Sequence, residues 1–282
     1  DRIQTIQIMA DVFAALNPGI DVKVIAVDEN DMPKQIAAAA AANTLPDMIE
    51  VGSDLSLAFA EEGIIDTKSS TEVIQKLGKD RFYSGALKLV ESAELNEYVS
   101  VPYSGWVQGI WYRADWFKEA GLAPPTTWES IEAAAKYFYK PTENQYGILI
   151  GTKADNYAEQ CYTQFALSND AGQFNKDGEL VFNSKAQKEV LDFYKNLSQY
   201  NPPGPQSWRA RDYYLQGKLA MFFYSSYILD DIALAEAAAS SLSSENFKDL
   251  KGAAFDPDLA KNTRLATTIT KTSPSSFGTL VG

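Results

Sequence analysis

Histidine is absent from these 282 residues, and cysteine occurs once, as Cys161. Without imidazole, Ser-His-Asp and Cys-His catalysis and His-ligated zinc or haem are excluded. A single thiol forms neither an internal disulfide nor a multi-thiolate metal site. No apolar run approaches the roughly 20 residues that span a bilayer, and the sequence shows no basic-then-apolar leader. Positive charge is scarce as well: 25 Lys and Arg face 37 Asp and Glu, a net charge of −12. That balance opposes binding to nucleic acid or anionic lipid and favours solubility. Carboxylate chemistry is left open.

What is present is ordinary for a globular protein, with 45% apolar and 22% charged residues. The length allows two lobes. Ile3, Ile6, Ala10, Phe13 and Leu16 fall on one helical face that stops at Asn17-Pro18-Gly19. IDVKVIAV (20–27) reads as a strand, and Asp31 with Pro33 opens a second helix through the alanines to Ala42. LPDMIEVGSD (45–54) reads as a short strand with a polar exit and then a helix. Helix, strand, helix, strand predicts a doubly wound α/β unit.

Further on, Thr126 and Glu129 are expected to form a capping box for a helix burying Ile131, Ala134, Ala135 and Phe138. YGILIG (146–151) is a strand, and 172–182 a hairpin turning at Lys176-Asp177-Gly178. Ser184 and Gln187 open a helix with Val190, Leu191, Tyr194 and Leu197 inward. A helix around Tyr213 and Leu215 leads to the strand 218–227, and 233–244 reads as an Ala/Ser-rich surface helix. DENDMP (28–33) lacks the glycine and distal glutamate of a calcium loop. The stretch 101–122, VPYSGWVQGIWYRADWFKEAGL, packs three Trp, two Tyr and a Phe around one strand and its turn. A core strand would be mostly aliphatic, so these rings are either core or a binding surface.

FAALNPGIDVKV (13–24), LPDMIEVGSD (45–54), VPYSGWVQGIWYRADWFKEAGLAPPTTWESI (101–131) and GKLAMFFYSSY (217–227), in this order and spacing, resemble the extracellular solute-binding proteins of ABC transporters. The narrower likeness is to the sugar-binding family that includes maltose-binding protein. The resemblance implies an α/β fold of two lobes joined by a hinge, with the ligand in an interlobe cleft and closure on binding. Mapped onto this sequence, lobe one covers 1–108 plus 258–282 and lobe two 109–257. The crossings fall near Val107 to Trp111 and near Ala254 to Pro257. Family members are longer, so the chain reads as truncated at both ends, with lobe one short of a strand.

The resemblance further implies that the loop after VPY enters the cleft, with Trp106 where a ligand contact is expected, and Tyr103 of VPY is a further candidate ligand contact. Trp106 has Gly105 and Gly109 beside it, which leave room for a ligand. Trp111, Trp116 and Phe117 are read as core. Tyr227 is either a ring that stacks on a sugar or core packing. Glu50 and Asp54 can accept hydrogen bonds from vicinal hydroxyls, while a helix N-cap is the other reading of Asp54. Asp155, Asn156 and Tyr157 follow a strand's carboxyl end, where crevices form. Trp208, Arg209 and Arg211 line a mouth or, by the plainer reading, snorkel at the surface. The resemblance implies a monomer outside the cytoplasmic membrane, in the periplasm or on the cell surface. It would bind a carbohydrate for ABC permease subunits with no cofactor and no catalysis, and a lipid anchor is compatible with it. The competing readings are the same fold with a non-sugar solute (polyamine, thiamine or metal chelate) and a glycoside hydrolase using Glu50 and Asp54.

Overall fold

The computed structural model describes residues 2–175, 177–233 and 258–282. They fall into two compact units, 1–104 with 280–282 and 105–279. Expectations for Lys176, for 234–244 and for the crossing at 254–257 lie outside the described residues. The segment 258–279, expected with lobe one, groups with the second unit.

In the first unit, helices α1 (Arg2–Leu16), α2 (Met32–Ala41), α3 (Ser53–Glu61), α4 (Thr67–Leu77) and α5 (Ser84–Leu89) precede a short antiparallel pair, β1 (Glu91–Ser92) and β2 (Glu97–Tyr98). Ile74, Leu87, Val90, Tyr98 and Val99 form one small core; Ile36, Val51 and Phe59 form another. Thr71 on α4 accepts the Tyr98 amide at 2.8 Å, and Asp66 caps α4 through the Ser69 amide at 3.1 Å. Both helices expected before residue 54 are present, but the strands at 20–27 and 45–51 are not. Residues 20–27 join no ladder among the described residues. Val51 and Gly282 exchange backbone bonds at 3.3 and 3.2 Å beside an isolated bridge between Gly52 and Val281. An alternating apolar pattern favours an extended chain, yet a strand exists only when a neighbour takes its N–H and C=O groups. The α1 face likewise buries only Ala10, with Phe13 exposed and Leu16 75% exposed.

The second unit is built on a mixed sheet. Its strands are β3 (Ser104–Arg113), β4 (Tyr146–Leu149), β5 (Leu219–Ser225), β6 (Thr263–Ala266) and, after a small pair β7 (Ile269–Thr270) and β8 (Pro274–Ser275), β9 (Gly278–Val281). The order is β4-β5-β3-β6, with β9 also on β3. β5 runs parallel to β4 and antiparallel to β3, which is antiparallel to β6. The helices are α6 (Ala114–Ala120), α7 (Trp128–Phe138), α8 (Asn156–Ser168), α9 (Lys185–Ser198), α10 (Asp212–Leu215), α11 (Leu229–Ala233) and α12 (Leu259–Asn262). One core joins the sheet to these helices, centred on Ile110, Ile148, Phe165, Tyr214, Phe222 and Phe223. α7 lies so close to β4 that a Cβ on Gly147 would sit 1.9 Å from the Ala135 carbonyl oxygen. Only glycine permits that approach.

Details of the helices differ from the reading above. The α7 capping box is Thr127 with Ser130, one residue later than Thr126 with Glu129. Thr126 donates its N–H to Pro124 and accepts the Thr270 amide, while Glu129 pairs with Lys271 at 3.2 Å. In α9, capped by Ser184 as expected, Phe193 rather than Leu191 turns inward. The hairpin at 172–182 is present as a bridge between Phe174 and Leu180.

Candidate functional site

β3 sorts its rings by parity, as a strand must. Trp111 is buried, with its indole N–H on the Tyr224 carbonyl at 3.1 Å. Phe117 is buried against Phe138, and Trp116 is partly buried against the same core. Trp106, on the opposite parity, is half-buried, and its ring meets that of Tyr227 edge-to-face with centroids 5.9 Å apart. Tyr227 keeps 44% of its surface exposed. Both rings belong to the second unit.

Their placement follows from how the β3–β5 ladder ends. Its last register pair is Gln108 with Ser225. Beyond it, the Val107 amide goes to the Ser226 hydroxyl at 3.2 Å, and Ser225 accepts the Tyr227 amide at 3.3 Å. Two serine hydroxyls thus replace a further rung and turn the chain so that Tyr227 comes over Trp106. On the other side of β3, the Gln108 amide donates to Phe277 at 2.8 Å.

Gly109 does not leave room for a ligand. A Cβ there would lie 2.4 Å from the Ala266 carbonyl oxygen, so β6 fills that space. The loop after β4 is also resolved differently from the sequence reading. Asp155 is the N-cap of α8, accepting the Ala158 amide at 3.2 Å. Asn156 is exposed in the first turn. Tyr157 is 5% exposed and donates its hydroxyl to the Phe223 carbonyl at 2.6 Å, so it is core rather than a ligand contact. Burial holds its hydroxyl well above the usual phenol range. Cys161, fully buried beside it, has its thiol pushed up to about 12 by the same desolvation.

Behind this surface Arg211 is buried, against the expectation of a snorkelling side chain. It pairs with Asp231 at 3.1 Å, donates to the Tyr224 hydroxyl at 3.0 Å, and lies 5.2 Å from the Trp208 ring centroid. Next to it, Asp212 is sealed from solvent, and neither carboxylate oxygen has a hydrogen-bond donor among the described residues. Burial raises its carboxyl to about 6, opposed by Arg211 and assisted by Asp231. Sequence reasoning missed this cluster, because nothing in the local pattern separates a buried arginine from a surface one.

In the first unit, Glu50 is half-buried and accepts a short hydrogen bond from the exposed Tyr103 hydroxyl. Asp54 is exposed inside the first turn of α3; the N-cap is Gly52, whose Cα the Asp54 carboxylate overhangs. Among the described residues no cluster of three metal-ligating side chains occurs, and no helix is long and apolar enough to cross a membrane.

A protein of Escherichia coli (strain K12), provisionally named ABC transporter periplasmic-binding protein YcjN, is 33% identical over 218 residues, 77% of this chain and 51% of its own. A mannitol-binding protein of Pseudomonas aeruginosa is 25% identical over 264 residues, 89% of this chain and 57% of its own. The chain thus spans about half the length of the curated relatives it matches. The fold is that of a solved ABC transporter solute-binding protein from Agrobacterium radiobacter K84 in complex with ribitol. The two share a TM-score of 0.77 at 22% identity, over 98% of this chain and 66% of that one. A solute-binding protein from Thermotoga lettingae TMO with bound α-D-tagatose gives 0.78 at 19%, over 99% and 68%. With the family model for bacterial extracellular solute-binding proteins matching residues 1–275, the chain belongs to that family.

Proposed function

We propose that this chain is the solute-capturing part of an ABC importer. It binds a neutral carbohydrate or polyol outside the cytoplasmic membrane, in the periplasm or at the cell surface, as a monomer. It hands the ligand to permease subunits and performs no chemistry on it. The observation that carries the ligand class is the half-open ring pair of Trp106 and Tyr227. A pyranose or an extended polyol offers a C–H face to such rings and hydroxyls to the polar groups around them. Relatives and structural neighbours whose names or titles give mannitol, ribitol and tagatose support the same class. In the second unit Asn156 is proposed as a hydroxyl partner, with Asp155 holding the α8 turn that carries it. In the first unit Tyr103, Glu50 and Asp54 are proposed, separately, as groups able to hydrogen-bond sugar hydroxyls.

A thermal-shift screen of the full-length protein over polyols, mono- and oligosaccharides, with spermidine and thiamine as the cationic alternatives, tests the ligand class. Ligand at about 100 times its Kd stabilises by about 2.7 kcal/mol. Calorimetry on Trp106→Ala should then show binding weakened about tenfold or more, with the unliganded melting temperature nearly unchanged. Unaltered affinity with a large loss of unliganded stability would make Trp106 a core residue and remove the proposed site. A shift with spermidine alone would replace sugar by a cationic solute.

A further inference from the structure

We infer that Gln160 reads the ligand's hydroxyls beside the ring pair, and that Gln108 sets the direction in which it does so. The inference rests on the carbohydrate reading above. Trp106 and Gln108 are two residues apart on β3 and therefore stand on the same face of the sheet. α8 covers that face: Ile110 is registered against Phe223, whose ring centroid lies 6.3 Å from that of Phe165 on α8. Gln108 is 3% exposed, and its Nε2 donates to Oε1 of Gln160 at 2.7 Å.

A glutamine amide has one accepting and one donating end. With its oxygen held inward by Gln108, Gln160 turns its NH2 the other way. Gln160 is only partly buried, whereas Gln108 is sealed. Asn156, one helical turn earlier on α8, is exposed on the same side of that helix. Gln108 itself has little freedom, because its own N–H is held by Phe277 and the neighbouring Val107 amide by Ser226. The face therefore carries two rings for C–H cover and, beside them, a fixed pair of N–H donors that suit hydroxyl oxygens. Gln160 is the specificity-determining group and Gln108 the positioning residue.

Calorimetry on the full-length protein, with D-mannitol and maltose as probes, tests this using Gln160→Glu and Gln160→Met. Glutamate keeps the acceptor for Gln108 and loses only the outward donors; methionine keeps the length and loses both. Both variants should weaken the probe that the wild type binds by about tenfold or more. Gln160→Glu should leave the unliganded melting temperature unchanged, while Gln160→Met should lower it, because the buried Gln108 amide loses its acceptor. Near-wild-type affinity in Gln160→Glu would overturn the assignment and leave the carbohydrate reading standing, since the amide pair would then be a structural tie between α8 and β3. A wild-type protein that binds neither these probes nor any polyol, mono- or oligosaccharide of the thermal-shift screen would overturn that reading and this assignment together.

Discussion

Asp212 shows how one misfit residue gives the molecule a pH dependence. Its carboxyl is sealed, receives no donor among the described residues, and sits near 6 instead of its ordinary 3.8. The folded state therefore holds a proton that the unfolded state releases, and stability falls as pH rises from about 4 through about 6. Arg211 offsets part of the cost but is already engaged by Asp231 and Tyr224. Asp212→Asn removes the charge and keeps the shape. The variant should gain roughly 1–2 kcal/mol over wild type at pH 7.5, less than the full shift because the buried amide also lacks hydrogen-bond partners among the described residues, and little at pH 4. Urea titrations at the two pH values measure this; an equal effect at both would show that the carboxyl does not titrate in this range. Trp106 and Tyr227 were legible as site candidates from composition and resemblance. Their mutual contact was not, because it depends on two serine hydroxyls closing a ladder between residues 119 apart in sequence.

Among the elements, α7 tests how finely a helix start can be read. The apolar spacing of Ile131, Ala134, Ala135 and Phe138 determined which face is buried, and the structure buries that face. The cap slipped by one position because two adjacent threonines offer the same chemistry, and tertiary pairing of Thr126 with Thr270 decides between them. Thr127→Ala should cost about 1 kcal/mol, while Thr126→Ala, on an exposed side chain, should cost far less. Equal losses would put the cap back in doubt. Strands were less legible than helices for a physical reason. A helix closes its hydrogen bonds within its own sequence, whereas 20–27 needs a partner the local pattern does not specify. β3, β4 and β5 were readable because their partners lie within the described second unit.

At the scale of the whole molecule, the two units differ in how their interiors are built. The first rests on two small, separate clusters, and the second on a single continuous core. Local opening follows buried apolar contact and backbone pairing. Amide exchange followed by mass spectrometry should therefore show 20–51 exchanging first, and β4 and β5 last. Protection of 20–27 equal to that of β5 would contradict this order. The sealed thiol of the second unit has a practical consequence. Because Cys161 lies in that unit's core with its proton held to about 12, alkylating dyes should ignore it while the fold is intact. Its slow modification by a thiol reagent would act as a clock for the opening of the core around α8. A cysteine engineered onto the surface would meanwhile be the one site of this chain that a fluorophore finds, so ligand binding to it could be followed with a single dye without removal of Cys161.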